Sequence, residues 1–412
     1  MSELRGAVAW SYPQSNMSAP DIAQADENTP HILAFGAYDT RKPRVRLLLR
    51  AIRDAGALHA AIHVRAWESV PQTNIPSRWS LVKVAARMAV GYPAALWRLV
   101  REGRRLARQR PGSALLLPYP GIMEILLIAP IAKALGLKVI LDAFLPIYDT
   151  VVGDRSLVGP GLMAKTIWLM ERAMLRLADI IVVDTDSHGA YFADEFGIPV
   201  DRIETVLVGA EPLFSPAAKL LPVEDILGPD DGRPIVLFYG QLIPLHGVPT
   251  IIEAARLSDD SARWIIIGRG QLQPLVEGRV REGGEALARK LTWIPWVDYE
   301  KLPSVIARAD LCLGVFGASD KSARVIPNKL FQQAAMGKPV LTRSSPAVDP
   351  LARAFPQAIL TVPADDPQAL ADAVAGWIEG RSDVDQMPSV AVSGLSPSAG
   401  VAHVLDRLAQ RE

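Results

Sequence analysis

The sequence contains a single cysteine, Cys312, and no long apolar run. One thiol excludes an internal disulfide framework and a cysteine-based zinc cluster, and it favours a reducing compartment. The apolar runs fall short of the roughly 18 residues that a membrane-spanning helix needs. The amino terminus also lacks the basic and apolar regions of a secretory signal. We therefore expect a cytoplasmic location, and peripheral contact with the inner face of the plasma membrane stays open.

A net excess of either charge is also absent, since 44 Lys and Arg residues balance 44 Asp and Glu residues. Without an overall positive field, nucleic acid is not an expected partner. Hydrophobic residues make up 50% of the chain and charged residues 21%, which is typical of globular proteins and excludes a mainly disordered or collagen-like chain. A length of 412 residues favours two domains.

Short apolar runs alternate with helical patterns along most of the chain. This alternation predicts parallel sheets that are covered by helices on both faces. The predicted fold class is α/β, with two doubly wound Rossmann-like domains that face each other across a cleft. The expected bounds are a mobile tail over 1–30, an amino-terminal domain over 31–216, a linker over 217–232, a carboxyl-terminal domain over 233–380, and a tail with a helix over 381–412.

The most informative motif is VLFYGQLIPLHGVPTIIEAARL, residues 236–257. An apolar strand ends at Gly240, and a helix begins after Gly247. Glycines let a ligand approach the backbone, and a helix N-terminus attracts an anion. His246 offers a further hydrogen-bond donor to such an anion. An ordinary strand-to-helix turn explains the segment equally well, so both interpretations stay open.

A second glycine pair, Gly268 and Gly270, ends the strand in IIIGRG. The third glycine and the acidic residue of a dinucleotide-binding fingerprint are missing, which disfavours a nicotinamide enzyme. No close cluster of His, Asp and Glu has the spacing of metal ligands. We therefore expect neither a metal site nor a cofactor.

A third motif, FGASDKSARVIPNKLFQQAAMGKPVLT, joins an apolar strand to a helix. Lys321, Arg324 and Lys329 bring positive charge to the loop and the helix start, which suits a diphosphate. Lys329 and Gln332 are three residues apart and share one helix face, so the Gln332 amide is placed to bond ribose hydroxyls. Solvated surface charge is an equally good explanation for Lys321 and Arg324.

Together these motifs resemble the donor-binding domain of GT-B fold glycosyltransferases. The similarity is to the large retaining family called glycosyl transferases group 1, which includes bacterial mannosyltransferases and sucrose synthases. It rests on Gly240 with PLHG, on IIIGRG, and on VIPNK followed by FQQAAMGKPV. The similarity extends over residues 233 to about 380 and more loosely over 31–216, where FGAYD, DIIVVDT and VLVGAEPLFSP match strand-end turns. It implies a UDP- or GDP-sugar donor on the carboxyl-terminal domain and an acceptor on the amino-terminal domain.

The chain departs from this family at three positions. The family usually carries two Glu residues that are separated by seven others, and Arg324 and Gln332 stand at those positions here. His246 replaces a usual Lys. In the family the second Glu holds the ribose and the first lies near the donor sugar. The resemblance therefore implies that Gln332 keeps the ribose contact, whereas recognition of the sugar differs.

Three residues of the amino-terminal half are further candidates. By the resemblance, the Gly36 turn lies close to the donor phosphates and the acceptor. Asp142 ends a strand and Asp149 lies in the following loop; a carboxylate there is placed to orient or deprotonate an acceptor hydroxyl. Capping a helix or pairing with Arg155 explains either carboxylate as well. Asp184 and His188 precede a helix, where a cap is the favoured interpretation.

The segment 96–110 combines an apolar stripe with six arginines and one acid. A basic amphipathic helix of this kind binds anionic membranes, which would favour a lipid-linked acceptor. Packing of the apolar stripe on the sheet of its own domain is the alternative interpretation.

These patterns predict a glycosyltransferase of hexosyl type that works without a metal, with Asp142 and Asp149 as catalytic candidates. Gly36, Gly240, His246, Lys321, Lys329 and Gln332 are the predicted donor-binding residues. The expected acceptor is a glycan or a lipid-linked sugar in the biosynthesis of a cell-surface polysaccharide or glycolipid. Two alternatives stay open: an isomerase that resembles nucleotide-sugar 2-epimerases, and a catalytically silent protein that binds a nucleotide sugar.

Overall fold

The computed structural model describes residues 30–67, 78–154, 158–380 and 394–410. The predicted tail lies outside the described residues, apart from Pro30. Within the described part the chain forms two parallel sheets of six strands each, and helices connect the strands. The predicted fold class is therefore confirmed.

The amino-terminal sheet has the strand order β2-β1-β3-β4-β5-β6. Its strands and the helices between them are β1 Ile32–Gly36, α1 Pro43–Asp54, β2 Leu58–His63, α2 Arg78–Gln109, β3 Ala114–Leu117, α3 Ile125–Ala134, β4 Lys138–Asp142, α4 Leu162–Arg176, β5 Ile180–Val183, α5 Asp186–Phe196 and β6 Ile203–Thr205. The central strands are continuous apolar runs such as IIVV in β5, and every residue of that run is buried, because helices cover both faces of the sheet.

The carboxyl-terminal sheet has the order β12-β11-β10-β7-β8-β9. Its elements are α6 Glu224–Leu227, β7 Ile235–Tyr239, α7 Val248–Leu257, β8 Arg263–Ile267, α8 Gln273–Glu282, α9 Gly284–Ala288, β9 Leu291–Ile294, α10 Leu302–Arg308, β10 Leu311–Leu313, α11 Asp320–Arg324, α12 Asn328–Ala335, β11 Val340–Arg343, α13 Asp349–Ala354, β12 Ile359–Val362 and α14 Pro367–Glu379.

The strand orders locate the expected ligand sites. In the amino-terminal sheet, β2 lies on one side of β1 and β3 lies on the other side. In the carboxyl-terminal sheet, β8 lies on one side of β7 and β10 lies on the other side. In open α/β sheets, ligands bind beyond the carboxyl ends of the strands where the order reverses. Those points lie after β1 and β3 in one domain and after β7 and β10 in the other.

The last helix, α15 Ser398–Ala409, returns to the amino-terminal domain. Its apolar face, Val401, Val404, Leu405 and Leu408, is buried in one cluster with residues of β1 and α1. The two domains are therefore connected twice by the chain. The segment predicted as a linker packs on the carboxyl-terminal domain, where Val223 and Leu227 join the cluster around Ile235.

The apolar stripe of segment 96–110 lies inside the protein. Leu99 and Leu106 are fully buried, and Gly103 packs closely against Leu135 and Leu137. Five of the six arginines of the segment are exposed, and Trp97 is 63% exposed. The packing interpretation therefore holds for the stripe, and a membrane contact by this helix would have to use its outer face.

Candidate functional site

The glycine turn after β7 lies where the strand order of the carboxyl-terminal sheet reverses. Gly240 has a φ of +144°, and a Cβ atom there would lie 3.2 Å from Lys329 Nζ and 3.4 Å from His246 Cε1. The Gly240 N–H donates to the Ile267 carbonyl oxygen at 2.9 Å, so this amide is occupied. Glycine is therefore needed here, because a larger residue would crowd the two basic side chains that pack against the turn.

Lys329 is a buried ammonium group without a hydrogen-bond partner among the described residues. Its Nζ lies 3.8 Å from the centre of the Phe238 ring, a cation–π contact that offsets only part of the cost of burial. Burial holds the pKa of Lys329 well below its ordinary value. A buried cation without a hydrogen-bond partner among the described residues is chemically suited to an anionic ligand.

His246 is the second basic side chain beside Gly240. Its Nδ1 bonds the Gln241 carbonyl oxygen, which makes Nδ1 the protonated nitrogen of the neutral ring. Burial, and next the charge of Lys329, lower the pKa of His246 to about 3. The ring is therefore neutral at pH 7, and it becomes a second donor to an anion only by taking up a proton.

Lys321 and Arg324 point to the opposite domain rather than to Gly240. Lys321 Nζ lies 3.4 Å from Thr150 Oγ1. Arg324 Nη2 forms a 2.7 Å salt bridge with Asp149 Oδ1, and the Arg324 carbonyl oxygen accepts a hydrogen bond from the Thr185 hydroxyl at 2.6 Å. Of the three predicted cations, the structure therefore brings only Lys329 to the glycine turn, and the other two connect the domains.

The loop that carries Asp149 is held by a buried carboxylate that the sequence analysis did not single out. Glu171 on α4 accepts the backbone N–H groups of Ile147 and Tyr148 at 2.7 and 2.6 Å. Burial raises the pKa of Glu171 to about 7. The loop position of Asp149, and with it the contact to Arg324, thus depends on α4.

Asp142, the other predicted catalytic carboxylate, is buried in a salt bridge. Its Oδ1 accepts from Arg44 Nε and Nη2 at 3.0 and 2.8 Å, and its Oδ2 accepts from the Tyr119 N–H at 3.3 Å. Both oxygens are occupied by protein donors, and only 1% of the residue is exposed. This geometry favours a structural role, the alternative that the sequence left open, although the partner is Arg44; Arg155 lies outside the described residues.

Gly36 lies at the reversal point of the amino-terminal sheet and packs against Glu124. Its φ is +136°, and a Cβ there would lie 2.5 Å from Glu124 Oε2. The carboxylate accepts the Ala37 N–H at 3.0 and 3.2 Å. Burial raises the pKa of Glu124, against the opposing hydrogen bond from the Ala37 N–H. Sequence reasoning missed Glu124, whose only signal is its position shortly after β3 in PYPGIME.

Gln332 belongs to a polar cluster between the two domains. Its Oε1 accepts from the Tyr239 hydroxyl at 3.1 Å. Its Nε2 lies 3.4 Å from Glu211 Oε2 and 3.3 Å from the Tyr299 hydroxyl oxygen. Glu211 also accepts from Arg46 and from Tyr299, each at 2.8 Å. Sequence reasoning missed Glu211, which lies in the quoted VLVGAEPLFSP turn after β6.

At the start of α5, Thr185 is the N-cap residue, since its hydroxyl accepts the His188 N–H at 3.1 Å. Asp184 pairs with the buried His188 ring beside this cap. Across residues 30–67, 78–154, 158–380 and 394–410, no three His, Cys, Asp or Glu residues come together as metal ligands would. Within the same ranges, no helix has both the length and the apolar character to cross a membrane.

Known proteins share this architecture. Residues 233–379 match the family model "Glycosyl transferases group 1". A curated relative, alpha-D-kanosaminyltransferase from Streptomyces kanamyceticus, is 28% identical over 221 residues, which are 52% of this chain and 54% of that protein. The match thus spans about half of the relative's length.

Solved structures match over nearly the whole chain. HepE from Anabaena, in complex with UDP, has a TM-score of 0.62 at 11% identity and covers 92% of this chain and 100% of its own. Sucrose-phosphate synthase from Thermosynechococcus elongatus has a TM-score of 0.65 at 18% identity, with 92% and 99% covered. The resemblance seen in the sequence is confirmed: the chain has the GT-B fold, and its residues 233–379 match the glycosyl transferases group 1 family.

Proposed function

We propose that this protein is a glycosyltransferase that binds a nucleotide sugar on the carboxyl-terminal domain and an acceptor on the amino-terminal domain. The observation that carries the proposal is Lys329, a buried and unpartnered ammonium beside Gly240 at the reversal point of the sheet. The family match of this domain and the UDP in the HepE structure support the same donor class.

Lys329 and His246 are the proposed partners of the donor diphosphate. As the bond between the sugar and the diphosphate breaks, negative charge grows on the leaving nucleoside diphosphate, and a preorganised cation stabilises it. Lys329 supplies this charge, and His246 supplies more after it takes up a proton. With charge supplied in this way, we propose a hexosyl transfer that does not require a divalent metal.

Arg324 and Asp149 hold the two domains together next to the proposed site. Their 2.7 Å salt bridge and the bond from Thr185 to the Arg324 backbone join opposite walls of the cleft. A closed cleft keeps water away from the donor and limits its hydrolysis. We propose that Arg324 and Asp149 keep the cleft between the domains closed. Lys321, which lies near Thr150 of the amino-terminal domain, contributes to the same contact.

The acceptor is proposed to bind the amino-terminal domain. An open groove of about 520 Å³ lies between the end of β2 and α2, and Arg65, Arg87 and Arg98 line it together with apolar residues. On the outer face of α2, Val90 and Trp97 are 83% and 63% exposed. Arginines beside exposed apolar groups suit an anionic lipid-linked acceptor at a membrane surface, with the protein on the cytoplasmic side and a role in polysaccharide or glycolipid biosynthesis.

The second candidate function is binding of a nucleotide sugar without transfer. It is favoured by one observation: both carboxylates predicted to be catalytic, Asp142 and Asp149, are held in salt bridges. An isomerase would need free acid and base groups in the cleft, which makes it a weaker candidate on the same ground.

A donor panel separates these functions. The purified protein is incubated with UDP-, GDP- and dTDP-sugars, with and without a membrane lipid extract, and the products are identified by mass spectrometry. We expect a glycosylated acceptor, and Lys329→Met should abolish its formation while Lys219→Met, at an exposed position, should not. Binding without any product would favour the second candidate, and an interconverted nucleotide sugar would favour the isomerase.

A further inference from the structure

Glu211 is a carboxylate that is only 8% exposed and lies between the two domains. It follows β6 of the amino-terminal domain, yet it contacts Tyr299 and Gln332 of the carboxyl-terminal domain. Its Oε1 receives two hydrogen bonds of 2.8 Å, from Arg46 and Tyr299. Its Oε2 has one long contact of 3.4 Å to Gln332 Nε2, which leaves most of the accepting capacity of Oε2 unused.

Gln332 itself is oriented by its neighbours. Because the Tyr239 hydroxyl donates to Gln332 Oε1, the amide oxygen faces Tyr239 and the amide nitrogen faces Glu211 and Tyr299. A ribose hydroxyl needs an acceptor oxygen, and the Gln332 Oε1 is already engaged by Tyr239, as Glu211 Oε1 is by Arg46 and Tyr299. The available acceptor beside Gln332 is therefore Oε2 of the Glu211 carboxylate.

The position of this carboxylate relative to Lys329 also fits a nucleotide. Lys329 and Gln332 are three residues apart on α12 and so lie about 5–6 Å from each other along one face. The Tyr239 hydroxyl reaches the Lys329 carbonyl oxygen at 3.3 Å and Gln332 Oε1 at 3.1 Å. A diphosphate at Lys329 would thus continue into a ribose next to Gln332 and Glu211.

Two neighbouring side chains, Arg46 and Tyr299, donate hydrogen bonds to the Glu211 carboxylate. Arg46 supplies a positive partner at 2.8 Å. Burial, and next the hydrogen bond to Glu211, raise the pKa of Tyr299, so that its hydroxyl stays protonated and donates to the carboxylate. We propose that Glu211 binds the ribose hydroxyls of the donor and thereby makes the amino-terminal domain part of the nucleotide site. This inference rests on the proposed function.

The test compares nucleotides with and without ribose hydroxyls. Isothermal titration calorimetry measures the affinity of the wild type and of Glu211→Gln for UDP and for 2′,3′-dideoxy-UDP, with GDP and its dideoxy analogue as a second pair. The variant should lose about 10- to 100-fold in affinity for the ribonucleotide, the scale of a lost charge-assisted hydrogen bond. It should lose less than about threefold for the dideoxy analogue. Glu300→Gln, at an exposed position near Tyr299, is the matched control.

A charge relocation provides the second arm. Gln332→Glu in the Glu211→Gln background returns a carboxylate to the same place from the other domain, and we expect most of the affinity for the ribonucleotide to return. Equal losses for both nucleotides, or no loss for either, would overturn the assignment of Glu211. If Glu211→Gln does not fold, Glu211→Asp takes its place in the same comparison. A wild type that binds neither UDP nor GDP would overturn the proposed function itself.

Discussion

Replacing Lys329 should make the protein more stable and the nucleotide site weaker. The ammonium is buried and has no hydrogen-bond partner among the described residues. An unsatisfied buried polar group costs about 1–3 kcal/mol, and more when it is charged. Methionine has a similar length and no charge, so Lys329→Met should raise the free energy of unfolding of the ligand-free protein by about 1–3 kcal/mol.

The pH dependence of this effect has a defined sign. Burial lowers the pKa of Lys329 in the folded state, so the unfolded chain binds more protons between that lowered pKa and about 10.4. The wild type should therefore gain stability from this group as the pH rises toward 10. The Lys329→Met variant should lack that gain.

Binding should change in the opposite direction. If Lys329 forms a charge-assisted bond to the donor diphosphate, its loss should weaken UDP or GDP binding by about 1.5–3 kcal/mol, or roughly 10- to 150-fold. Urea denaturation at pH 7 and pH 9.5, with and without nucleotide, measures both effects, and Lys219→Met is the control. A variant that is less stable than the wild type and binds nucleotide with unchanged affinity would refute the reasoning.

Three further perturbations follow from the buried charges. Burial raises the pKa of Glu171 to about 7. Its contribution to the free energy of unfolding is therefore fully present below about pH 4.5, and about 3 kcal/mol of it is lost as the pH rises through 7. Urea titrations from pH 5 to 8 should show this slope in the wild type and not in Glu171→Gln. Asp142→Asn leaves Arg44 without its charged partner and should cost about 3–5 kcal/mol in the free energy of unfolding; an unchanged urea midpoint would contradict the buried pair. Arg324→Met breaks the bridge to Asp149 and should increase donor hydrolysis relative to transfer, whereas an unchanged product ratio would argue against closure by this pair.

Membrane contact is tested through the outer face of α2. Replacing Arg104 and Arg105 by Glu should reduce co-sedimentation with anionic liposomes, since each cation near the surface contributes about 1 kcal/mol. Unaltered partitioning of the double variant would remove this contact from the proposal.

Local patterns predicted most of the fold. Continuous apolar runs such as IIVV in β5 and IVLFY in β7 form strands that are buried on both faces, as the covered parallel sheet requires. The return of α15 to the amino-terminal domain was not predicted, because a helical pattern shows which face is apolar but not which distant surface it covers.

The site was less predictable than the fold. Gly240, His246 and Lys329 come together, since the glycine turn and the helix start lie at one edge of the sheet. By contrast, Asp142 and Arg44 are 98 residues apart in sequence, and Glu211 meets Gln332 across 121 residues. Such pairs leave no periodic signal, so only the arrangement of the domains reveals that both oxygens of Asp142 are occupied and that Glu211 lies between the domains.

A crystal structure of the protein with UDP or GDP bound tests the central claim most directly. The account predicts a phosphate oxygen within about 3 Å of Lys329 Nζ beside Gly240, with the nucleoside extending toward Gln332. A nucleotide bound elsewhere, with Lys329 still buried and unpartnered, would contradict it.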